Sequence, residues 1–477
     1  MLSASRISYE VAQRARGIAF GGIGVMLLLA RKTGLVAEID RRVHVLKRHL
    51  PYHESDHVLN VALNALCGGT CLEDIELRRN DETFLDAVGA TCIPDPTTAG
   101  DFCRRFTAGD VEDLMRAVNE ARLRVWREQP DAFFEEAILE ADGTLVETCG
   151  ECKAGMDVSY AGTWGYHPLL VSLANTSEPL FLDNRPANRP SHEGAHPRFD
   201  QAITLARRAG FRKVTLRGDT DFSQTAHLDG WDTQGVRFVF GIDAMPHLVQ
   251  RAETVEERAW TRLERTPKYE VQTTPRTKPT RVKEAIVRAR GYLNLHLLEE
   301  SVAEFAHQPT KCVRPYRIVV LRKRISVERG QKVLFPDVRY FFYLTNRDDL
   351  SAADVVRFAN DRCNQEKLIR QLKSGVGSLQ TPVDSLVSNG AFMVMAALAW
   401  SLKAWLALLL PDHTEALAQE KRAVLTMEFK TFLNALIRIP VQIVRTSRRW
   451  IYRLLAWNPW ALVLLRGWEA LHSRRLC

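Results

Sequence analysis

The chain has 477 residues, with 65 Lys and Arg against 57 Asp and Glu, and so a formal net charge of +8. Because 46% of the residues are hydrophobic and 26% are charged, the composition excludes a largely disordered chain and predicts a folded, soluble protein of two or three domains. Nine cysteines are too sparse for a secreted disulfide scaffold, so a reducing cytoplasm fits best. Arg6, Glu10 and Arg14 precede the first apolar run, and we expect no signal peptide.

The first predicted domain is helical and covers residues 1–130. From Ile7 to about Arg127, apolar residues recur three and four positions apart, which is the spacing of amphipathic helices. Inside it, two prolines and a Thr pair precede a helix carrying Arg104 and Arg105, as is typical of a capped helix start. Such arginines can meet a phosphate backbone, although an ordinary solvated helix end is the more frequent explanation.

Extended segments follow in residues 131–244. Three strands with short turns, at 137–145, 167–176 and 179–186, predict an antiparallel meander. A helix at 199–210, closed by Gly210, leads to further strands at 213–219 and 237–244. This part is therefore α/β, in the order β-β-β-α-β-α-β.

The next predicted unit, residues 245–346, is a β-rich insertion. It contains a basic segment at 266–283, with five Lys and Arg against one Glu, and strands at 316–327 and 338–346. A helix from 352 to 373 then opens the second part of the core, which covers residues 347–415.

A basic helical tail is predicted over residues 416–477. Residues 421–477 hold eleven Lys and Arg but only two Glu, so the tail contributes 11 minus 2, or +9. An Arg-rich helix is expected at 445–454, where aromatic residues alternate with the basic ones. A solvated face is the simpler alternative, but the interleaving and the charge favour nucleic acid, with Arg448 and Arg449 as DNA-binding residues.

One segment, Ala391 to Leu410, is nearly long enough to cross a bilayer, and Lys403 is its only charge. A single apolar segment between a charged helix and a basic tail is more often the buried helix of a large core. We therefore predict a core helix and no membrane association.

Three carboxylates are candidates for catalytic residues. Asp142 lies at a strand end, with Glu140 two residues earlier on the same strand face as a rival. Asp219 ends the next strand but could instead cap the helix that begins near Phe222, a role that Asp221 or Thr220 could fill as well. We favour Asp142 and Asp219.

The third acid, Glu366, shares a helical stripe with Arg362 and Lys373, because the three project within about 40° of one another. Such a stripe is usually a solvated face with ion pairs. Joined to two strand aspartates, it predicts a site for hard cations, since Mg²⁺ and Mn²⁺ prefer oxygen ligands. Two such ions can support an in-line phosphoryl displacement, so the predicted chemistry is phosphodiester transfer in a polynucleotide.

Other candidates have simpler explanations. Cys149 and Cys152 form a single C-x-x-C, and without a second one they are better read as ordinary thiols than as a zinc site. Trp164, Tyr166 and His167 are better explained as a packed strand and turn than as a catalytic site.

The segments EADGT and LRGDTDF and the R-x3-E-x6-K spacing together resemble bacterial insertion-sequence transposases of the DDE class. YAGTWGYHPLLVSLANT and IVRTSRRWIYRL further resemble the insertion-sequence family called thirteen-eighty. The resemblance implies an RNase H-like catalytic domain, interrupted by the β-rich insertion. It also implies Asp142, Asp219 and Glu366 as the catalytic acids that bind Mg²⁺ or Mn²⁺, expected as two ions.

The resemblance further implies that Arg362 and Lys373 contact DNA near the cleaved end. Where the family signature begins with Tyr, this chain has Ala359, with Phe358 adjacent. The implied enzyme cleaves double-stranded DNA at the inverted repeats of its element and joins the 3′-OH ends to target DNA. It would act as a homodimer in the bacterial cytoplasm, at the nucleoid, with the helical N-terminal domain binding DNA. The alternative is a DNA-binding protein that has lost catalysis.

Overall fold

The N-terminal part of the chain is helical, as its apolar spacing predicts. A computed structural model describes residues 16–265, 282–329, 332–333, 337–446, 450–455 and 458–474. Its first elements are β1 (Gly17–Ile18), α1 (Ile23–Lys32), α2 (Leu35–Arg42), α3 (Glu54–Leu66), α4 (Ile75–Arg79), α5 (Glu82–Val88), α6 (Pro96–Arg104) and α7 (Ala108–Arg127). Side-chain caps set the helix starts: Asp95 accepts from Thr98 N ahead of α6, and Thr107 forms a capping box with Asp110 ahead of α7.

The middle of the chain builds a long mixed sheet. Its elements are β2 (Glu136–Gly143), β3 (Val146–Glu147), β4 (Asp157–Val158), β5 (Trp164–Tyr166), β6 (Leu169–Leu173), β7 (Glu178–Asp183), α8 (Ala195–Ala209), β8 (Lys213–Gly218), α9 (Leu228–Thr233) and β9 (Arg237–Ile242). The strands lie in the order β7-β6-β2-β8-β9, while β3, β5 and β4 form a small separate sheet. β6 is antiparallel to β2 and β7, which confirms the meander, and β2, β8 and β9 are parallel.

The β-rich segment continues this sheet. Its elements are α10 (Pro246–Glu253), β10 (Thr261–Arg262), α11 (Val282–Ala289), β11 (Leu293–His307), β12 (Tyr316–Arg329), β13 (Lys332–Val333) and β14 (Asp337–Thr345). β14 pairs antiparallel with β9, and β12, β11 and β10 follow outward from it. The two predicted strands are present, but they extend the central sheet. Most of the basic segment at 266–283 lies outside the described residues.

The C-terminal part returns to helices. Its elements are α12 (Ala352–Asn360), α13 (Cys363–Arg370), α14 (Leu386–Leu409), α15 (Glu415–Thr426), α16 (Phe429–Phe432), β15 (Val441–Arg445), β16 (Trp450–Leu454) and α17 (Ala461–Ser473). The prediction of one continuous helix from 352 to 373 was wrong. α12 ends at Asn360, since Asn360 and Asp361 are poor helix formers, and α13 leads into a π-helical turn at Gln371–Val376.

The prediction of an Arg-rich helix at 445–454 was also wrong, because β15 and β16 form an antiparallel hairpin there. Val441 and Ile443 are buried and alternate with less buried residues, and β-branched residues in such alternation favour a strand. β1 adds a third strand to this hairpin. Arg448 and Arg449 lie outside the described residues.

The apolar helix α14 lies at the centre of the core. By length and composition it could span a membrane, with a mean hydropathy of 1.8, but its entire apolar window is buried inside the protein. It contacts α1, α3, α6 and α7 of the N-terminal region, the strand β7, and α15 and α17. α14 therefore packs against both the helical N-terminal region and the sheet, which also contact each other directly through α7 and β7.

Lys403, in the middle of α14, is fully buried. Its Nζ donates to the Leu425 carbonyl at 2.7 Å and lies 4.1 Å from the centroid of the Trp400 ring. Burial lowers its pKa from 10.5 to about 7. Between those two values the unfolded chain binds more protons than the folded one, so stability is expected to rise with pH across this window.

We expect Lys403→Met to raise the free energy of unfolding by roughly 2–4 kcal/mol at about pH 6, and by less at about pH 9.5. Urea unfolding at the two pH values measures both the gain and its pH dependence. Lys430→Met, which changes an exposed lysine, is the matched control and should leave the curves unchanged. A wild-type stability that does not rise over this pH range would contradict the assignment.

Candidate active site

Two aspartates leave the central sheet side by side. Asp142 lies next to the end of β2, and Asp219 directly follows β8. β2 and β8 are parallel, and their register pairs Glu140 with Arg217. Two residues further along, the same register brings Asp142 next to Asp219. The carboxyl ends of neighbouring parallel strands are where α/β sheets place their ligand sites.

Glu366 reaches the same edge from the helix α13. The next residue toward the N-terminus, Gln365, is buried and fastens the helix to the sheet: it accepts a hydrogen bond from Ser172 Oγ and donates to the Leu170 carbonyl at 3.4 Å. Both partners lie on β6, the neighbour of β2. The anchoring of Gln365 therefore brings Glu366 to the strand ends.

One guanidinium links the acids. Arg362 donates from Nη1 to Asp219 Oδ2 at 2.6 Å and from Nη2 to Glu366 Oε1 at 3.5 Å, and its charge also acts on Asp142. Arg362 stands in the turn where α12 ends and α13 begins. The structure thus brings the three predicted acids together around Arg362, and we call these four residues the acid cluster.

The electrostatics of the acid cluster follow from its partial burial. Burial raises the pKa of Asp142 to about 7, against the lowering effect of Arg362, and the charges of Asp219 and Glu366 add to the rise. Burial alone would lower the pKa of Arg362, but the charges of Asp219 and Asp142 raise this pKa overall. The three acids thus concentrate negative charge around the guanidinium group of Arg362.

The rival residues take other roles. Asp219 does cap the short 3₁₀ turn at Thr220–Phe222, because its Oδ1 accepts from Asp221 N at 3.1 Å, but its other oxygen faces Arg362. The side chain of Asp221 is exposed. Glu140 is buried and accepts from Arg217 Nε at 2.7 Å, and burial raises its pKa to about 7. The geometry thus favours Asp142 and Asp219 over Glu140 and Asp221.

Lys373 does not join the acid cluster. Its Nζ donates to the Leu145 carbonyl at 2.7 Å, in the segment after β2. Of the predicted stripe, Arg362 and Glu366 therefore meet, whereas the π-helical turn carries Lys373 toward the neighbouring loop.

Phe358, the neighbour of Ala359, does not take the place of the Tyr in the family signature. The ring of Phe358 lies under two guanidinium groups, with centroid distances of 4.6 Å to Arg217 and 5.7 Å to Arg347. Ala359 packs with Val355 and other apolar residues against the outer part of the sheet. Neither side chain offers a hydroxyl to the acid cluster.

The structure adds Arg217, which sequence reasoning missed, and it brings His167, interpreted above as part of a packed strand and turn, close to Gly143. Arg217 is buried within β8, two residues before Asp219, and a charge inside an otherwise apolar strand is the signal that a partner lies opposite it. The Nε2 of His167 lies against Gly143, the residue that follows Asp142. Its Nδ1 donates to the Arg189 carbonyl at 2.9 Å, so the neutral ring has its hydrogen on Nδ1.

Within the acid cluster, Arg362 forms ion pairs with Asp219 and Glu366. Within the described parts of the chain, no three His, Cys, Asp or Glu side chains are arranged to hold a metal ion. Cys149 and Cys152 are exposed free thiols. The positive charge among the three acids is that of Arg362.

The sequence of the chain matches a known family over nearly its whole length. The sequence profile of the family described as transposase DDE domain group 1 matches residues 18–476. Among solved structures, the chain is similar to the cryo-EM structure of the piggyBac transposase synaptic complex with hairpin DNA. The identity is 10% and the TM-score 0.37, over 89% of this chain and 83% of that chain. No curated protein gives a significant match.

Proposed function

Because the chain belongs to the family of transposase DDE domain group 1, we propose that it cleaves DNA at the terminal inverted repeats of a mobile element and joins the freed 3′-OH ends to target DNA. The observation that carries this proposal is the meeting of Asp142, Asp219 and Glu366 around Arg362. Three carboxylates from two parallel strands and a later helix form the donor set that phosphodiester transfer needs.

We propose an RNase H-like catalytic core. The order β7-β6-β2-β8-β9, with three antiparallel strands followed by two parallel ones, supports it. In this assignment the strands β10 to β14 correspond to the proposed β-rich insertion, and they separate the two aspartates from Glu366 along the chain.

The acid cluster fits Mg²⁺ or Mn²⁺ in its chemistry, because all three acids offer oxygen ligands and together already hold a positive charge. Asp142, Asp219 and Glu366 would hold the cations once Arg362 gives up its two ion pairs. When bound, two such ions supply the Lewis acidity that assists the attacking and leaving oxygens of phosphoryl transfer.

Arg362 and Lys373 are proposed to contact DNA. Arg362 stands next to the acids, so the released guanidinium can pair with a phosphate of the strand that is cleaved. Water is the proposed nucleophile for cleavage and the strand 3′-OH for joining.

Duplex DNA is the proposed partner, with the helical N-terminal region and the basic tail placing the element ends. A homodimer is proposed because two ends must be brought together in one reaction. The proposed location is the bacterial nucleoid, and membership in the thirteen-eighty family stays a prediction.

The test uses the full chain and a supercoiled plasmid that carries the inverted repeats found beside its reading frame. We expect strand cleavage that requires Mg²⁺ or Mn²⁺, stops with EDTA, and fails on a plasmid with scrambled repeats. Binding to the repeats without any cleavage in Mg²⁺ or Mn²⁺ would instead establish the non-catalytic DNA-binding protein. Equal nicking of both plasmids would contradict recognition of the ends.

A further inference from the structure

A buried ion pair lies directly behind the acid cluster. Glu140 and Arg217 are 1% and 3% exposed, and Arg217 Nε donates to Glu140 Oε1 at 2.7 Å. They stand two residues before Asp142 and Asp219 on the paired strands. Because side chains alternate along a strand, each member of the pair shares a face with its aspartate.

The same arginine also holds the joint between α12 and α13. Arg217 Nη1 donates to the Phe358 carbonyl at 2.8 Å, and its guanidinium lies 4.6 Å from the centroid of the Phe358 ring. Phe358 belongs to the last turn of α12, and its carbonyl also accepts from Asp361 N at 3.3 Å. Arg217 therefore ties the end of α12 to the strand that leads to Asp219.

This tie determines the position of the following residues. Arg362 stands four residues after Phe358, in the turn between the helices, and Glu366 lies one turn further on. On the other side of the joint, Gln365 of α13 donates to the Leu170 carbonyl of β6. The loop-like break between α12 and α13 is thus fastened to the sheet on both sides.

Burying the Glu140–Arg217 ion pair is energetically unfavourable compared with burying apolar side chains. Glu140 Oε2 is buried and has no hydrogen-bond partner within the described residues. Buried ion pairs contribute little to stability compared with well-packed apolar side chains, and an unpartnered carboxylate oxygen makes this pair worse. The unpartnered oxygen belongs to a group whose charge acts on Arg362 as well as on Arg217. A role toward the acid cluster explains the arrangement better than packing does.

We propose that Glu140 and Arg217 are positioning residues, which hold the joint between α12 and α13 and thereby set Glu366 and Arg362 against Asp142 and Asp219. The inference rests on the proposed function, since it gives the pair a purpose only if the three acids bind cations. It predicts that loss of the pair weakens cation binding without removing any ligand.

The experiment measures Mn²⁺ binding to the full chain, without DNA, by electron paramagnetic resonance. Arg217→Met is expected to weaken Mn²⁺ binding by roughly 10–100-fold, the usual effect of removing a residue that orients metal ligands. The matched control is Arg122→Met, because Arg122 is another fully buried arginine that pairs with a buried glutamate but contacts no residue of the acid cluster. The control should lose stability and keep its Mn²⁺ affinity.

A second, more conservative substitution tests the proposal if Arg217→Met does not fold. Glu140→Gln preserves the shape and the acceptor toward Arg217, and we expect roughly tenfold weaker Mn²⁺ binding with an unchanged far-ultraviolet circular dichroism spectrum. If both variants bind Mn²⁺ as tightly as the wild type, the positioning role is wrong.

Asp142→Asn distinguishes the two levels of the proposal. Should Asp142→Asn bind Mn²⁺ like the wild type, the proposed cation site itself fails. Should Asp142→Asn abolish binding while Arg217→Met and Glu140→Gln leave it intact, the function stands and only the positioning role falls.

Discussion

Glu366→Gln is expected to lower strand cleavage of the end-bearing plasmid by at least roughly a thousandfold, because residues that act as one catalytic unit cost nearly the whole effect when any one is lost. The substitution keeps the size of the side chain and removes the charge that pairs with Arg362. Since Glu366 is exposed on α13, the fold should not change. Gel analysis of nicked and linear plasmid measures the rate, and a shift assay with the inverted repeat measures DNA binding, which should persist.

Asp221→Asn is the matched control for this experiment. Asp221 lies two residues from Asp219 and is exposed, but its side chain takes no part in the ion pairs of Arg362. We expect it to cleave within a few-fold of the wild type. Cleavage by Glu366→Gln at a rate similar to that of Asp221→Asn would remove Glu366 from the catalytic assignment.

Glu178→Ala is expected to destabilise the fold by ~3–5 kcal/mol, because it leaves the charge of Arg122 buried and uncompensated. Both partners are fully buried, and Arg122 Nε lies 3.0 Å from Glu178 Oε1. Glu178 also accepts from Trp405 Nε1 at 2.8 Å, Trp126 Nε1 at 2.9 Å and Thr176 Oγ1 at 2.6 Å. One carboxylate therefore joins α7, β7 and α14.

Urea unfolding followed by tryptophan fluorescence measures this loss. Glu415→Ala, which removes an exposed ion pair with Arg422, is the control and should leave the midpoint unchanged. We further expect Glu178→Leu combined with Arg122→Met to be more stable than either single variant, since an apolar pair leaves no buried charge. Equal midpoints for Glu178→Ala and Glu415→Ala would contradict the role of this network.

The sequence predicts the acid positions because their signals are local. Asp142 and Asp219 each end an alternating apolar strand, and the parallel pairing of those strands then determines that they meet. The apolar segment around Lys403 was likewise predicted as a core helix, and α14 is buried throughout its apolar window. These features depend on periodicity and on strand ends, which a single sequence shows directly.

Some features that the sequence missed depend on partners far along the chain, and others on a local pattern that was misinterpreted. The break after Asn360 is stabilised when Arg362 reaches Asp219, 143 residues away, and helical periodicity carries no trace of that contact. The hairpin that contains Trp450 was read as a helix because its arginines dominate the pattern, whereas buried Val441 and Ile443 decide the structure. The bonds of Arg217 to Glu140 and Phe358 were invisible for the same reason.

The pairing of β1 with β15 has a consequence for how the protein is made. Gly17 lies opposite Gln442, 442 minus 17, or 425, positions later. At ~5–20 residues per second, the first strand waits roughly 20–90 s on the ribosome before its partner is synthesised. A chain that stops before residue 441 lacks the partner of β1 and the helix α17 that packs on α1 and α14, so we expect such a fragment to be degraded rather than to accumulate.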